Sequence, residues 1–190
     1  RMVSGLTSEQ LEYARKNFFL LSLKPIIYVA NVADSDYSDI ENCKYYQQVK
    51  EIAESQGAQC IPVSCEIEYE ISQLSLDEKK EFLDTLGASE SGLDKLVQAA
   101  YKLLNLSTFL TCGTDECRAW TFMNGMTAPE CAGIIHSDFQ KGFIKAEIYD
   151  FDAIKELGSE LAVKEAGKLR IEGKDYVMKD GDCVFFRFNV

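Results

Sequence analysis

Two short polar loops, each directly after a predicted strand, carry side chains suited to bind a flat polar ring. The first loop is Asn31-Val32-Ala33-Asp34, which follows the apolar run at residues 26–30. An Asn at this position can orient a loop and a purine, and an Asp can accept hydrogen bonds from the edge of a base. The same spacing is also typical of an Asx-turn, in which the side chain bonds its own backbone. The pattern alone leaves both interpretations open.

The second loop, Ser64-Cys65, follows a short apolar run at residues 60–63. Residues 26–30 are apolar throughout, which predicts a strand buried on both faces in the middle of a parallel sheet. Between the two runs, residues 43–56 have the pattern of a helix that ends at Gly57. A strand, a helix and a strand at this spacing form a crossover unit with parallel strands. Such sheets bind ligands at the carboxyl ends of their strands.

The rest of the first half predicts further helices around this unit. Thr7 begins a helix with a capping-box pattern, and Ser75 begins another. Residues 66–74 are predicted to be helical. A strongly amphipathic helix follows Ser91 and places apolar residues on one face as far as Leu104. Asn105 is therefore the expected boundary of an α/β region.

From residue 106 the pattern changes to short strands. Residues 106–112 and 118–123 predict a hairpin around the turn at 113–116. Thr127 precedes a helix that starts with Pro129 and runs to about residue 135. Further strands are predicted at 143–149, 168–171 and 183–188, with a short helix near 159–166. This order is expected of a small ubiquitin-like β-grasp.

Composition narrows the class of protein. The net charge is -11, from 31 acidic and 20 basic side chains, which argues against a DNA-binding or general nucleic-acid coat protein. Seven cysteines and one histidine, without a C-x-x-C pair, predict reduced thiols in a cytoplasmic protein and argue against a zinc site. No apolar run reaches the length of a membrane span, so no membrane partner is expected.

Residues 24–32 (KPIIYVANV) and 62–71 (PVSCEIEYEI) closely resemble segments of the YchF/Obg-like ATPase family of P-loop NTPases. Residues 118–148 and 164–190 resemble the TGS domain of that family, and this resemblance covers nearly all of residues 105–190. The resemblance implies an α/β fold. Residues 1–104 would be the C-terminal part of a P-loop G domain, with parallel strands and helices, and residues 105–190 an α+β ubiquitin-like β-grasp (TGS) domain.

The resemblance also implies roles for the two loops. Asn31, Val32, Asp34, Ser64 and Cys65 would bind the nucleotide base, with the main chain of Val32 against the ring and the amide of Cys65 holding the purine. Val32, as in the relatives, stands where most GTPases have Lys. Asp34 stands where many relatives have Glu. The family implies a preference for ATP over GTP, whereas Asp at this position is the guanine reader of ordinary GTPases.

The sequence lacks the phosphate-binding signature G-x-x-x-x-G-K-[ST]. Its Gly-Lys steps, at Lys168 and Lys174, are followed by Leu169 and Asp175. We therefore expect the chain to be the C-terminal half of a P-loop ATPase whose N-terminal part binds the phosphates and Mg²⁺. The parent would use ATP or GTP with Mg²⁺. The chain alone would require no cofactor and would not hydrolyse nucleotide.

The alternative is a stand-alone TGS-type module that binds RNA or the ribosome and has no nucleotide function. Its contact surface would be a basic patch on the grasp sheet, although solvated side chains fit the sequence equally well. The candidate residues are Lys141, Lys145, Lys168, Arg170 and Lys174. A third hypothesis, a hydrolase built on His136, lacks a nucleophile elbow. We expect His136 to be a structural or interface residue, Phe139 to pack in the core and Trp120 to anchor it.

Overall fold

The computed structural model describes residues 5–113 and 116–189. Its chain divides into two compact units, Arg1–Ala100 and Tyr101–Val190. This division falls inside the helix Gly92–Leu103, so it does not test the predicted boundary between residues 104 and 105, which stays a prediction. Two residues of the predicted hairpin turn, Thr114 and Asp115, lie outside the described residues.

The first unit contains a parallel strand pair and helices, as the sequence predicts. Its two strands are β1 (Ile27–Asn31) and β2 (Gln59–Val63), which pair in parallel from Ile27 opposite Gln59 to Asn31 opposite Val63. The helices are α1 (Ser8–Asn17), α2 (Asp34–Tyr37), α3 (Lys44–Ser55), α4 (Cys65–Ser72), α5 (Leu76–Thr85) and α6 (Gly92–Leu103), with short 3-10 turns at Leu21–Leu23 and Ile40–Asn42.

Local signals account for most of these boundaries. The predicted capping boxes at Thr7 and Ser75 are both formed, so each helix has its first backbone amides bonded. Gly57, at φ +66°, lies two residues beyond the end of α3 in a conformation that glycine adopts without strain. Helix α1 ends at Asn17, and a short 3-10 turn at Leu21–Leu23 follows before β1.

The prediction that the first strand is buried on both faces is wrong for the described part of the chain. No residue of β1 is buried, and Val29 keeps 48% of its surface exposed. The reason is that β1 pairs only with β2 among the described residues, so the sheet has two strands and leaves one side of β1 without a neighbour. A continuous apolar run such as that of β1 is typical of a strand in the middle of a larger parallel sheet.

The second unit is built on one mixed five-stranded sheet. Its strands are β3 (Leu106–Cys112), β4 (Cys117–Met123), β5 (Phe143–Asp150), β6 (Arg170–Glu172) and β7 (Asp182–Phe188), in the order β4-β3-β7-β5-β6. Strands β3 and β7 are parallel, and the other pairs are antiparallel. Its remaining helices are α7 (Ala128–Ile135), α8 (Ser137–Lys141), α9 (Phe151–Leu157) and α10 (Glu160–Glu165).

This arrangement has the element order of the predicted β-grasp. Helix α7 starts after Thr127 with a complete capping box and packs on the sheet. The sequence did not predict α8 or α9, which are short: α8 has five residues and α9 has seven. Helix α8 starts after a single residue, His136, and α9 starts directly after β5, so no polar linker of several residues marks either helix.

Aromatic rings fill the core between the sheet and α7. Phe109 is fully buried, and its ring centroid lies 5.9 Å from those of Phe122 and Phe186. Trp120 packs partly buried against this core and stacks on Phe109 at 6.4 Å. Its indole Nε1 donates to Thr111 Oγ1 at 2.9 Å. The predicted role of Trp120 as a core anchor is confirmed.

Because Phe109 lies at the centre of this cluster, Phe109→Ala should destabilise the second unit by about 3–5 kcal/mol, the usual range for a buried aromatic side chain. The measurement is urea unfolding followed by the fluorescence of Trp120, which is the only tryptophan of the chain. Phe185→Ala is the matched control, since Phe185 is 48% exposed and should shift the midpoint little. Equal losses for the two variants would contradict the packing described here.

Candidate functional site

The parallel pairing of β1 and β2 places the two predicted binding loops side by side. Asn31, the last residue of β1, is opposite Val63, the last residue of β2. The ladder continues one residue further, because the Val32 amide donates to the Val63 carbonyl oxygen at 2.9 Å. Both loops therefore leave the sheet at the same edge, as expected for the carboxyl ends of parallel strands.

Asn31 joins the two loops through its side chain. Its Oδ1 accepts a hydrogen bond from the Cys65 amide at 3.2 Å, across 34 residues of sequence. An amide side chain has a donor as well as an acceptor, so the Nδ2 group of Asn31 can still donate at the rim of the site. The bond holds the start of α4 against the end of β1. It is the contact by which the first loop orients the second.

Ser64 plays a different part from its neighbours because its side chain is buried. Only 2% of Ser64 is exposed, and its Oγ accepts from the Ile67 amide at 3.4 Å as the N-cap of α4. The hydroxyl thereby fixes the first turn of the helix. Cys65, the first residue of α4, is exposed. Ser64 thus stabilises the loop as a buried helix cap, whereas Cys65 lies at the surface of the loop.

Asp34 and Val32 lie in the first loop without a side-chain link to the second among the described contacts. Asp34 starts α2, is exposed, and accepts from the Ser35 amide through Oδ1 at 2.7 Å. This bond is to the next residue, whereas an Asx-turn bonds the backbone two residues on, so it is not the turn that the sequence left open as an alternative. The second carboxylate oxygen of Asp34 remains an acceptor site. Val32 is half-buried beside it.

The charge around these loops suits a neutral ring rather than a phosphate chain. Residues 31–41 and 64–70 contain acidic side chains and no lysine or arginine. These carboxylates would repel a phosphate chain, whereas they can accept hydrogen bonds from the amine and ring N–H donors of a base. Among residues 5–113 and 116–189, no group of three or more His, Cys, Asp or Glu is placed to hold a metal ion.

Two of the five basic residues predicted to contact RNA lie on opposite faces of the sheet. Lys145 lies on the same face of β5 as Glu147, whereas Arg170 pairs with the buried Ile148 and so lies on the opposite face of the sheet. Four of the five are in ion pairs: Lys141 with Asp138 at 3.9 Å, Lys145 with Glu147 at 3.3 Å, Lys168 with Glu156 at 2.9 Å, and Arg170 with Asp150 at 2.9 Å. Lys174 is exposed in the turn after β6.

Arg170 belongs to a partly buried polar cluster inside the second unit. Asp182, only 1% exposed, accepts from Arg170 Nη2 at 3.3 Å, from the Tyr176 hydroxyl at 3.0 Å and from the Lys179 amide at 2.9 Å. Burial raises the pKa of Tyr176, and the Asp182 charge raises it further. The guanidinium therefore neutralises a buried carboxylate. These residues all lie within 170–182, and the sequence does not reveal the cluster because their contacts form only once β6 and β7 have joined the sheet.

His136 has the structural role that the sequence predicts. Its Nδ1 accepts from the Asp138 amide at 3.2 Å and so caps α8. Phe139 stacks on Phe188 with 3.9 Å between centroids and packs against the core, as predicted. No helix in the described ranges is long and apolar enough to cross a membrane.

A parallel strand pair with polar loops at its carboxyl ends, followed by a mixed five-stranded sheet, is the architecture of the C-terminal part of a P-loop G domain joined to a TGS-like unit. The solved structure of the Schizosaccharomyces pombe YchF GTPase matches with a TM-score of 0.79 and 34% sequence identity. The match covers 97% of this chain and 49% of that chain. The predicted fold class is confirmed.

Sequence comparisons agree with the structural match. A family model described as "YchF-GTPase_C: Protein of unknown function (DUF933)" matches residues 106–189. Ribosome-binding ATPase YchF of Bacillus subtilis is 48% identical over 96% of this chain and 50% of its own length. Human Obg-like ATPase 1 is 42% identical over 100% of this chain and 48% of its own length. The chain belongs to the YchF/Obg-like ATPase family, and it spans about half the length of these relatives.

The cluster around Asp182 predicts that Arg170→Met destabilises the second unit, because the buried carboxylate loses its cation. We expect a loss of about 1–3 kcal/mol, since the arginine is partly exposed and Asp182 keeps two other donors. Urea unfolding followed by Trp120 fluorescence measures it. Lys174→Met is the control and should change stability by less than about 0.5 kcal/mol. Unchanged stability of Arg170→Met would show that this ion pair is dispensable.

Proposed function

We propose that this chain supplies the base-binding loops and the TGS domain of a ribosome-associated P-loop ATPase. The observation that carries the proposal is the hydrogen bond from the Cys65 amide to Asn31 Oδ1, which joins the two loops at the carboxyl edge of the parallel strands. The site would consist of Asn31, Val32, Asp34, Ser64 and Cys65, with residues 1–104 as the G-domain part and 105–190 as the TGS domain. Relatives named as ribosome-binding ATPases support this reading.

In this proposal the loops bind the base and leave the phosphates to other residues. Asn31 orients the second loop, the Val32 main chain lies against the ring, and Asp34 accepts from the base edge. Ser64 supports the loop by capping α4. The acidic surroundings of both loops favour this division. The phosphates and the accompanying Mg²⁺ would then be bound elsewhere in the complete ATPase, so we expect no hydrolysis by residues 1–190 alone.

We propose ATP as the preferred nucleotide, with GTP as the competitor. The names of the curated relatives support ATP. Asp34 is the residue that leaves GTP in competition, because a carboxylate can accept from the two N–H donors at the edge of guanine.

The ribosome or its RNA would be the second partner, through the TGS domain, in the cytoplasm. The ion pairs of Lys141, Lys145 and Lys168 mean that such a contact would have to displace acidic partners.

The competing proposal is a TGS-type module that binds RNA or the ribosome without any nucleotide. Titration calorimetry of the chain with ATP and with GTP, each with Mg²⁺, is the first test. Binding of either nucleotide would show that the two loops suffice and would identify the base. If neither binds, the same titrations on the full-length ATPase decide between the two proposals, because the module proposal requires that neither nucleotide binds there.

Asn31→Ala in the full-length ATPase should weaken ATP binding by roughly 5- to 150-fold, because the bound base would bury this contact and a hydrogen bond lost from a buried contact costs about 1–3 kcal/mol. The dissociation constant from calorimetry is the readout. Asn42→Ala is the matched control, since Asn42 is also exposed but bonds only locally, to Asp39 at 2.8 Å. Unchanged affinity in Asn31→Ala would remove this loop from the site.

Asp34→Glu should shift selectivity from GTP towards ATP. The added methylene moves the carboxylate away from the position that a guanine edge requires, so the ratio of the two dissociation constants should change by about tenfold. Asp36→Glu, in the same short helix, is the control and should leave the ratio unchanged. An identical ratio in Asp34→Glu and in the unaltered protein would show that this position does not select the base.

A further inference from the structure

The last cross-strand pair of β3 and β4, next to the hairpin turn, consists of two cysteines. Cys112, the last residue of β3, is the direct cross-strand partner of Cys117, the first residue of β4. Both thiols are free, with Cys117 exposed and Cys112 half-buried. The proposed base-binding loops lie in the other unit, so this pair is no part of the proposed base site.

The hydrogen-bond pattern shows which kind of cross-strand pair they form. The Gly113 amide donates to the Glu116 carbonyl at one end of the ladder, and the Asn124 amide donates to the Asn105 carbonyl at the other. Pairs alternate along an antiparallel ladder, so counting inward from either end makes Cys112 and Cys117 a non-hydrogen-bonded pair. Cα atoms in such a pair are about 4.5 Å apart, and the side chains lean together. This distance falls within the range of about 4.4–6.8 Å that a disulfide spans.

We propose that Cys112 and Cys117 are a reversible dithiol–disulfide site, oxidised by hydroperoxides. The pair requires no rearrangement of the strands, because the register already places the two side chains on the same face. Cys117 is the thiol that an oxidant can reach. Cys112 is the thiol that resolves the product, since it lies beside Cys117 in a more protected position.

The chemistry balances with hydrogen peroxide as the oxidant. The Cys117 thiolate attacks one peroxide oxygen, an S–O bond forms as the O–O bond breaks, and hydroxide leaves and takes up the thiol proton as water. The Cys112 sulfur then attacks the Cys117 sulfur. The S–S bond forms, the S–O bond breaks, and a second water leaves with the Cys112 proton. Two electrons pass from the two sulfurs to the peroxide.

A third thiol, that of Cys183, lies near Cys112 and could compete with Cys117 for it. Cys183 is on β7, opposite Leu110 of β3, and Leu110 is two residues from Cys112. It is 1% exposed, and burial raises the pKa of its thiol to about 12, so it is neither reachable nor ionised in the folded protein. Burial also raises the pKa of Cys112, and a hydrogen bond to Cys117 adds to the rise. Exposure therefore assigns the first oxidation to Cys117.

The test is peptide mapping after treatment with hydrogen peroxide and alkylation of the remaining thiols. Trypsin releases residues 103–118, which contain Cys112 and Cys117 and no other cysteine. We expect this peptide to lose the mass of two hydrogen atoms, to resist alkylation and to recover both thiols with dithiothreitol. A peptide that is alkylated twice, that carries an irreversibly oxidised Cys117, or that is joined to the Cys183 peptide would overturn the proposal.

The chain contains a matched internal control. Cys60 and Cys65 have the same separation in sequence and share the tryptic peptide 51–79, but they lie on β2 and α4 and are not cross-strand partners. In the folded protein the yield of the 112–117 disulfide should exceed that of the 60–65 disulfide by about tenfold. The reason is that the strand register already holds Cys112 and Cys117 next to each other, whereas Cys60 and Cys65 would first have to be brought together. In urea the two pairs should form to a similar extent. An equal yield of both in the folded protein would show that the register has no effect.

Discussion

The parallel pairing of β1 with β2 is the constraint on which the first unit depends. A parallel ladder aligns the carboxyl ends of its strands, so the register that places Ile27 opposite Gln59 also places Asn31 opposite Val63. The hydrogen bond from Cys65 to Asn31 becomes possible only in that register. A shift by one residue would turn Asn31 to the other face and separate the two loops. The site is therefore a consequence of strand pairing rather than of the loops' own conformational preferences.

The second unit depends in the same way on alternation along its strands. Phe109, Phe122 and Phe186 reach the core because each lies on the face that α7 covers. Asp182 shares that face through its pairing with Asp150, and a buried carboxylate there requires compensation, which Arg170 and Tyr176 provide. The opposite face holds Lys145 and Glu147 as a half-buried ion pair. Alternation thus places cations that look equivalent in the sequence, Lys145 and Arg170, on opposite faces of the sheet.

Much of the fold was predictable because its signals are local. Capping boxes at Thr7, Ser75 and Thr127, and glycines after helices, lie within a few residues of what they determine. What failed depends on distant residues. The exposure of β1 depends on how many strands flank it. The face of the sheet on which Arg170 lies depends on its partner on the neighbouring strand, Ile148. The strand predicted at 168–171 is observed at Arg170–Glu172, so this pairing could not be read from the predicted strand.

The candidate site shows the same limit. The sequence predicted which residues would gather, and the structure brings Asn31, Ser64 and Cys65 together. It did not predict that Ser64 would be buried as a helix cap, because a serine before a helix fits an exposed ligand-binding role and a capping role equally well. The same cap determines what the loop can do. The hydroxyl is bonded to the Ile67 amide, and both loops carry acidic side chains and no lysine or arginine, so they offer hydrogen-bond acceptors and no cationic side chain. In the proposed site, positive charge for the phosphates must therefore come from outside these two loops, and the proposed division between base recognition and phosphate binding follows from their composition.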